Sequence, residues 1–83
     1  METANLDDML ANARARQRTR TPAERRALRR GVGLRLVEMK ALLGVAGSGT
    51  VTRYELGLRE PRGELAIRYA ALLDRLAEEM AKR

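Results

Sequence analysis

The 83-residue chain contains no cysteine and no histidine. Without thiolates or imidazoles it cannot form the usual zinc sites, disulfide bonds or a serine–histidine–aspartate triad. A carboxylate or lysine mechanism would remain, but the acidic residues are scattered and no pair of carboxylates shares a pocket-like context. The sequence therefore predicts that the protein is not an enzyme, with no catalytic residue, no metal and no cofactor.

Aromatic residues and long apolar runs are also scarce. Phe and Trp are absent, and Tyr54 and Tyr69 are the only aromatic residues. The apolar residues are almost all Leu, Ala, Val and Met, which favours helices. No run of 18 apolar residues occurs, so no transmembrane helix is expected. The acidic first ten residues lack the basic start and apolar stretch of a signal peptide, so a cytoplasmic protein is expected.

Acidic residues are few within one segment. The net charge is +6 and the pI is about 11. Between Arg14 and Lys40 the chain has ten basic residues against Glu24 and Glu38, so this segment carries +8 and the remainder −2. Such a concentration favours a polyanionic partner, with nucleic acid as the first candidate. Fifteen of the 17 basic residues are Arg, which suits bidentate recognition of phosphates and nucleotide bases. A GC-rich genome would produce the same bias toward Arg.

The length suits one domain with a modest core, which a partner subunit often supplements. Residues 2–18 are compatible with an amphipathic helix whose acids come early and whose bases come late. Its apolar face would comprise Leu6, Met9, Leu10 and Ala13. The alternative is an extended arm that aligns the alternating arginines Arg14, Arg16, Arg18 and Arg20. For residues 1–20 the sequence leaves both alternatives open.

A strong helix start follows at Thr21-Pro22-Ala23-Glu24. Thr21 is the predicted N-cap, proline fits the first turn, and Glu24 completes a capping box. This helix is expected to continue to about Arg30 and to end at Gly31 and Gly33.

Two shorter helices are predicted next. The first covers residues 35–43 and stops at Gly44. Its predicted inward positions are Leu36 or Val37, Met39, Leu42 and Leu43. The second begins at residue 48 or 49 and ends at Gly57, with Ser48 as N-cap and with Val51 and Tyr54 on its buried face.

The last segment, residues 64–82, contains no helix breaker. Its helical apolar stripe comprises Leu65, Tyr69, Leu72, Leu73, Leu76 and Met80. At about 1.5 Å per residue this helix would be roughly 28 Å long, more than a three-helix core requires. The excess apolar face should contact either the N-terminal helix of the same chain or a second subunit. The predicted dimer-contact residues are Leu73, Leu76, Ala77 and Met80.

A series of short motifs runs through the two shorter helices and the loops on either side of them. These are Gly33-Leu34, Leu43-Gly44-Val45, Thr50-Val51-Thr52-Arg53-Tyr54-Glu55-x-Gly57 and Glu60-Pro61. The series resembles the helix-turn-helix domain of lambda-type phage repressors and their relatives, the Xre family. The resemblance covers about residues 22–73. It implies an all-α, compact bundle of four to five helices, with residues 21–73 as a DNA-binding domain and residues 74–83 as an extension of the last helix.

The resemblance also implies a set of DNA contacts. Thr52 and Arg53 would face the major groove, where an arginine can bond guanine in bidentate fashion. Glu55 and Gly57 would shape the exit of this recognition helix. The other implied contacts are Ser48 and Gly49 at base edges, Thr50 as a phosphate contact or cap, and Arg35 at a phosphate. In the arm alternative, Arg18 and Arg20 would either follow a minor groove or remain solvated.

The chain departs from the family pattern at three places. Between Val45 and Thr50 the turn has one residue more than is usual. Lys40 stands where the family has a small residue packed against the recognition helix, and Leu36 stands where the family often has a glutamine.

The sequence thus predicts a sequence-specific DNA-binding transcriptional regulator that acts as a repressor in the nucleoid. It would bind a two-fold symmetric operator in double-stranded DNA as a homodimer, with half-sites about one helical turn apart. The alternative is an antitoxin or adaptor whose main role is to bind another protein. An RNA-binding module ranks lower because interleaved aromatic residues are missing. Membrane-surface binding ranks lowest because the basic segment has few bulky apolar residues.

Overall fold

The computed structural model describes residues 5–83, apart from the side chains at positions 15 and 16. This part of the chain contains only helices and no strand. The helices are α1 (Leu6–Arg18), α2 (Pro22–Val32), α3 (Leu36–Leu43), α4 (Ser48–Leu56) and α5 (Gly63–Ala81). The predicted all-α bundle is confirmed. The portion of the first predicted helix at residues 2–4, and the side chain of Arg16, lie outside the described residues.

The first segment is a helix and not an extended arm. Asn5 caps it, because its Oδ1 accepts hydrogen bonds from the backbone N–H groups of Asp7 and Asp8 at 2.9 and 3.3 Å. Two acidic residues in the first turn also suit the helix dipole. After α1 the chain reverses at Arg20, whose φ of 64° lies in the left-handed region that non-glycine residues rarely adopt.

The capping box at the start of α2 is confirmed. Thr21 Oγ1 accepts from the Glu24 N–H at 3.2 Å, and Glu24 Oε1 accepts from the Thr21 N–H at 3.0 Å. The prediction that this helix ends at Gly31 is wrong, because α2 continues to Val32. The predicted stop at Gly33 is confirmed, since Gly33 is the C-cap. Gly31 serves packing instead, since a Cβ there would lie 2.7 Å from the sulfur of Met80.

A tight turn joins α3 to α4. Gly44 adopts φ 71°, and the Val45 N–H donates to the Lys40 carbonyl at 3.2 Å in a Schellman arrangement. Ser48 was expected to cap α4, but the N-cap is Gly47, without a side-chain hydrogen bond. Ser48 is therefore the first helical residue.

One hydrophobic cluster fills the space between the helices. Its fully buried members are Met39, Leu43, Val51, Tyr54, Tyr69, Leu73 and Leu76. The predicted inward positions Val51 and Tyr54 are confirmed. Leu42 was predicted to face inward, which is wrong: it is 57% exposed, because the inner face of α3 follows Leu36, Met39 and Leu43 at helical spacing. Val37, the alternative to Leu36, is also exposed.

The apolar stripe of α5 is mostly used inside the chain. Leu73 and Leu76 belong to the core. Ala77 is half-buried, and Met80 packs on Gly31 while remaining 38% exposed. Of the face predicted to meet a second subunit, Ala77 and Met80 are the residues left with accessible surface.

A buried arginine links α2 to three other parts of the fold. Arg25 is 2% exposed, and its guanidinium donates to the carbonyls of Thr19 at 2.7 Å and Tyr54 at 2.9 Å. It also forms a two-pronged pair with Glu60 at 2.6 and 3.2 Å. The guanidinium carbon lies 5.9 Å from the centre of the Tyr69 ring, within cation–π range.

We expect Arg25→Met to lower the free energy of unfolding by about 3 kcal/mol, because buried carbonyls lose their donor. The neighbouring Arg26 is exposed and unpaired among the described residues, so Arg26→Met is the matched control and should change stability by less than about 0.5 kcal/mol. Urea unfolding of both variants measures the difference. Equal stability of the two variants would contradict a structural role for Arg25.

Candidate nucleic-acid interface

Many cations of the basic segment have carboxylate neighbours within the fold. Nine of its ten basic residues have described side chains, and five of these nine contact carboxylates of the same chain. These residues are Arg18, Arg20, Arg25, Arg29 and Arg35. The segment with the highest charge in the sequence is therefore not, as a whole, the most accessible cationic surface.

Arg29 and Glu55 fix the orientation of α4. The two side chains form a bidentate pair at 2.6 and 3.0 Å, and Glu55 is only 7% exposed. Arg29 also donates to the Leu34 carbonyl at 2.8 Å, so all three partners are held where α2 meets α3 and α4. Glu55 thus has a structural role at the last turn of α4.

Arg18 and Arg20 were predicted as DNA contacts, and the structure places both on Asp74 of α5. Arg18 Nε donates to Asp74 Oδ2 at 3.1 Å, with a second contact from Nη2 to the same oxygen. Arg20 Nη1 donates to Asp74 Oδ1 at 3.1 Å and to the Arg18 carbonyl at 3.0 Å. These bonds, those of Arg18 first, hold the pKa of Asp74 below its usual value. They join the end of α1 to α5.

The outer face of α4 brings together the predicted contacts of the recognition helix. Gly49 and Arg53 are exposed, and Ser48, Thr50 and Thr52 are half-buried. Arg53 Nη1 lies 3.8 Å from the position that a Cβ of Gly49 would occupy, so the guanidinium lies over this glycine. Arg53 has no carboxylate partner among the described residues. A Cβ at position 49 would meet the guanidinium only at ordinary van der Waals distance, so Gly49 and Arg53 adjoin on the outer face without a steric need for glycine.

Two of the three hydroxyls of this face, those of Thr52 and Ser48, differ in availability. Thr52 Oγ1 donates to the Ser48 carbonyl at 3.2 Å, within the helix. Thr52 can therefore still accept a hydrogen bond, but its donor is occupied. Ser48, in the first turn, stands where the backbone N–H groups of α4 lack helical partners.

Arg35 lies at the start of α3 with its side chain 77% exposed. Glu38 Oε1 accepts from the Arg35 backbone N–H at 2.8 Å and lies 3.4 Å from Arg35 Nε. The backbone bond is the main cause of the lowered pKa of Glu38. The pair is weak and solvated, so the guanidinium of Arg35 is available to an external anion.

The sequence analysis did not identify the cations that follow α4. Arg59 and Arg62 follow α4, are exposed, and have no carboxylate partner in residues 5–83. Both border an open groove of about 590 Å³ whose floor includes Tyr54 and Leu65. Arg68 extends over the turn between α3 and α4, with Nη1 3.6 Å from a Cβ position at Gly44. Their proximity to the predicted recognition helix in the chain was the available signal.

Within residues 5–83, no helix is long and apolar enough to cross a membrane. Comparison with family models, with curated proteins and with solved structures found no match to this chain.

We expect Asp74→Asn to lower stability at neutral pH by less than about 1 kcal/mol, because the carboxylate is partly exposed. The pKa of Asp74 is lowered in the folded state, so its contribution is present above the unfolded pKa of about 4 and is lost as the pH falls through the folded value. Thermal unfolding at about pH 7 and about pH 2 should therefore show a larger difference between wild type and variant at the higher pH.

The matched control is Glu78→Gln, which removes the solvated pair with Arg75 at 3.9 Å. It should change stability little at either pH. A deficit of Asp74→Asn that persists unchanged in acid would show that the ion pairs are not its cause.

Proposed function

We propose that the chain is a sequence-specific DNA-binding transcriptional regulator in which α3 and α4 form a helix-turn-helix. The observation that carries the proposal is the division of α4 into two sides. Its inner side is anchored by Val51, Tyr54 and the buried Glu55, and its outer side carries the unpaired, exposed Arg53 over Gly49. An anchored helix with a polar, cationic outer face is suited to enter a major groove.

The resemblance of residues 22–73 to the Xre family supports the same proposal. The additional turn residue is accommodated before α4, because the closure of α3 at Gly44 and Val45 is followed by Ala46 and Gly47 in an irregular conformation. Lys40 is half-buried on the last turn of α3. Its charge there is favourable toward the carboxyl end of the helix.

The accessible cations supply the sequence-independent part of the binding. Arg35, Arg59 and Arg62 would contact phosphates on either side of α4 in the chain. Each neutralised phosphate releases counterions, so affinity should fall steeply with salt. A homodimer on a two-fold symmetric operator would double these contacts and repress transcription by occupancy.

A second candidate function is that of an antitoxin or adaptor that mainly binds another protein. One observation favours it: Leu6, Met9 and Leu10 of α1 are 66%, 55% and 42% exposed. An apolar face of this kind often marks a protein contact. The two functions differ in whether duplex DNA is bound with sequence preference.

Selection of bound sequences from a random duplex pool, at about 150 mM salt, tests the proposal directly. A recovered two-fold symmetric motif is expected. Binding without any motif, lost as salt rises, would overturn the proposal and leave charge-driven attachment.

On the selected site, Arg53→Ala should cost about 1–3 kcal/mol and relax the preference at one base pair. Lys82→Ala is the matched control, because it removes the same charge from the exposed end of the chain after α5. Titrations on selected and random duplexes measure both losses. An equal loss for Arg53→Ala on the two duplexes would mean that this side chain contacts only the backbone.

Arg59→Ala combined with Arg62→Ala should weaken binding to all duplexes alike. If both residues contact phosphates, the slope of log affinity against log salt should become shallower by about 2 for each bound subunit, and so by about 4 for the dimer. Salt titrations of the double variant and wild type provide the measurement. An unchanged slope would remove the loop after α4 from the interface.

A further inference from the structure

The exposed apolar residues of α1 form one continuous stripe. Leu6, Met9, Leu10 and the half-buried Ala13 are spaced as neighbours on one helix face. The first three of them remain 66%, 55% and 42% exposed. Their exposure is therefore a property of the part of α1 that projects from the bundle.

The opposite end of α1 is firmly attached. Asn12 borders a groove with Pro61, Gly63 and Ala66 at the start of α5, and Arg18 pairs with Asp74 further along α5. These two contacts show that α1 and α5 run in the same direction. The residues before Asn12 consequently extend past the first residue of α5, so the stripe projects from a fixed base.

Charges on α1 are arranged so that the helix complements itself. Asp7 and Arg14 are seven residues apart, which places them on the same flank of the apolar stripe, two turns from each other. Both are exposed, and neither has an ion-pair partner among the described residues. At about 10 Å along the axis they are too far apart to pair within one helix.

We propose that two copies of the chain associate through α1, with their α1 helices antiparallel about a two-fold axis. In the register that sets Leu10 against Ala13 of the second copy, the flank that carries Asp7 and Arg14 on one helix lies beside the same flank of the other helix. Asp7 then meets Arg14 of the second copy, and the symmetry generates a second such pair.

The orientation follows from the charges. In a parallel pair, each flank would face the opposite flank of the other helix. Arg14 would then lie beside Met9 of the second copy, without an ion pair. The antiparallel pair gives two ion pairs and covers the same apolar stripe, and is therefore favoured.

The pairing rests on the proposed function in one respect: a two-fold symmetric operator requires a dimer with a two-fold axis. It deepens that function by naming the helix through which the dimer would form. One 13-residue helix offers less surface than the roughly 800 Å² per partner of a stable interface. The free dimer should therefore be weak. Two half-sites on one duplex would raise its effective concentration.

Sedimentation equilibrium of the full chain without DNA tests the pairing. Wild type should show a reversible monomer–dimer equilibrium in the micromolar range. Leu10→Glu should abolish it, and Leu42→Glu, at a similarly exposed leucine of α3, should leave it unchanged. Circular dichroism verifies that both variants remain folded. A wild-type chain that is monomeric throughout would overturn the proposal and leave the stripe to a different protein.

Charge reversal provides a test that loss of folding cannot mimic. Asp7→Arg alone and Arg14→Asp alone should each weaken self-association by about tenfold, because two attractive pairs become repulsive. An equimolar mixture of the two single variants should form heterodimers at least as well as wild type, as should the double variant with itself. Absence of recovery in the mixture would refute the antiparallel register.

The outcome is separable from that of DNA binding. A dimer through α1 that selects no DNA motif would sustain the pairing and overturn the proposed function. If a DNA motif is selected but the chain does not pair through α1, the proposed function is sustained and the pairing is overturned.

Discussion

The buried guanidinium of Arg25 is the interaction on which the rest of the structure depends. It connects α2 to the carbonyl of Thr19 before that helix, to the carbonyl of Tyr54 in α4 and to Glu60 in the following loop. A chain without Phe or Trp has few large side chains with which to fill a core. An arginine with five donors and an aliphatic stem fills volume and satisfies buried carbonyls together. Glu60 remains half-exposed, which reduces the desolvation cost of the pair.

This anchoring determines which side of α4 is free. Arg25 holds the Tyr54 carbonyl and Arg29 holds the Glu55 carboxylate, so two of the four arginines of α2 act on the carboxyl-terminal half of α4. At the outer positions Gly49 and Arg53, the Arg53 guanidinium has no carboxylate partner in residues 5–83. The stability of the fold and the availability of the proposed DNA-binding face therefore have the same origin.

Local features were predictable from the sequence, and long-range pairing was not. The capping box at Thr21 and Glu24, and the helix stop at Gly44, depend on residues within one turn, so the pattern of residues sufficed. Whether one of these arginines is paired or free depends on acidic residues far along the chain. Arg29 pairs with Glu55, 26 positions away, and Arg18 pairs with Asp74, 56 positions away. Counting charge along a segment cannot reveal such partners. The prediction that Ser48 caps α4 was wrong for a related reason. The presence of a side chain that can cap does not determine where the preceding turn ends.

Internal pairing also separates the two proposed surfaces. Once Arg18 and Arg20 are bound to Asp74, the end of α1 becomes part of the bundle. The cations that remain unpaired on and after α4 belong to the DNA-binding proposal. Among the described side chains of α1, the charges without an ion-pair partner are Asp7, Asp8 and Arg14, a set that has little attraction for a polyanion. The flank that carries Asp7 and Arg14 is instead suited to a second copy of itself, because these two charges meet only when the two helices run in opposite directions.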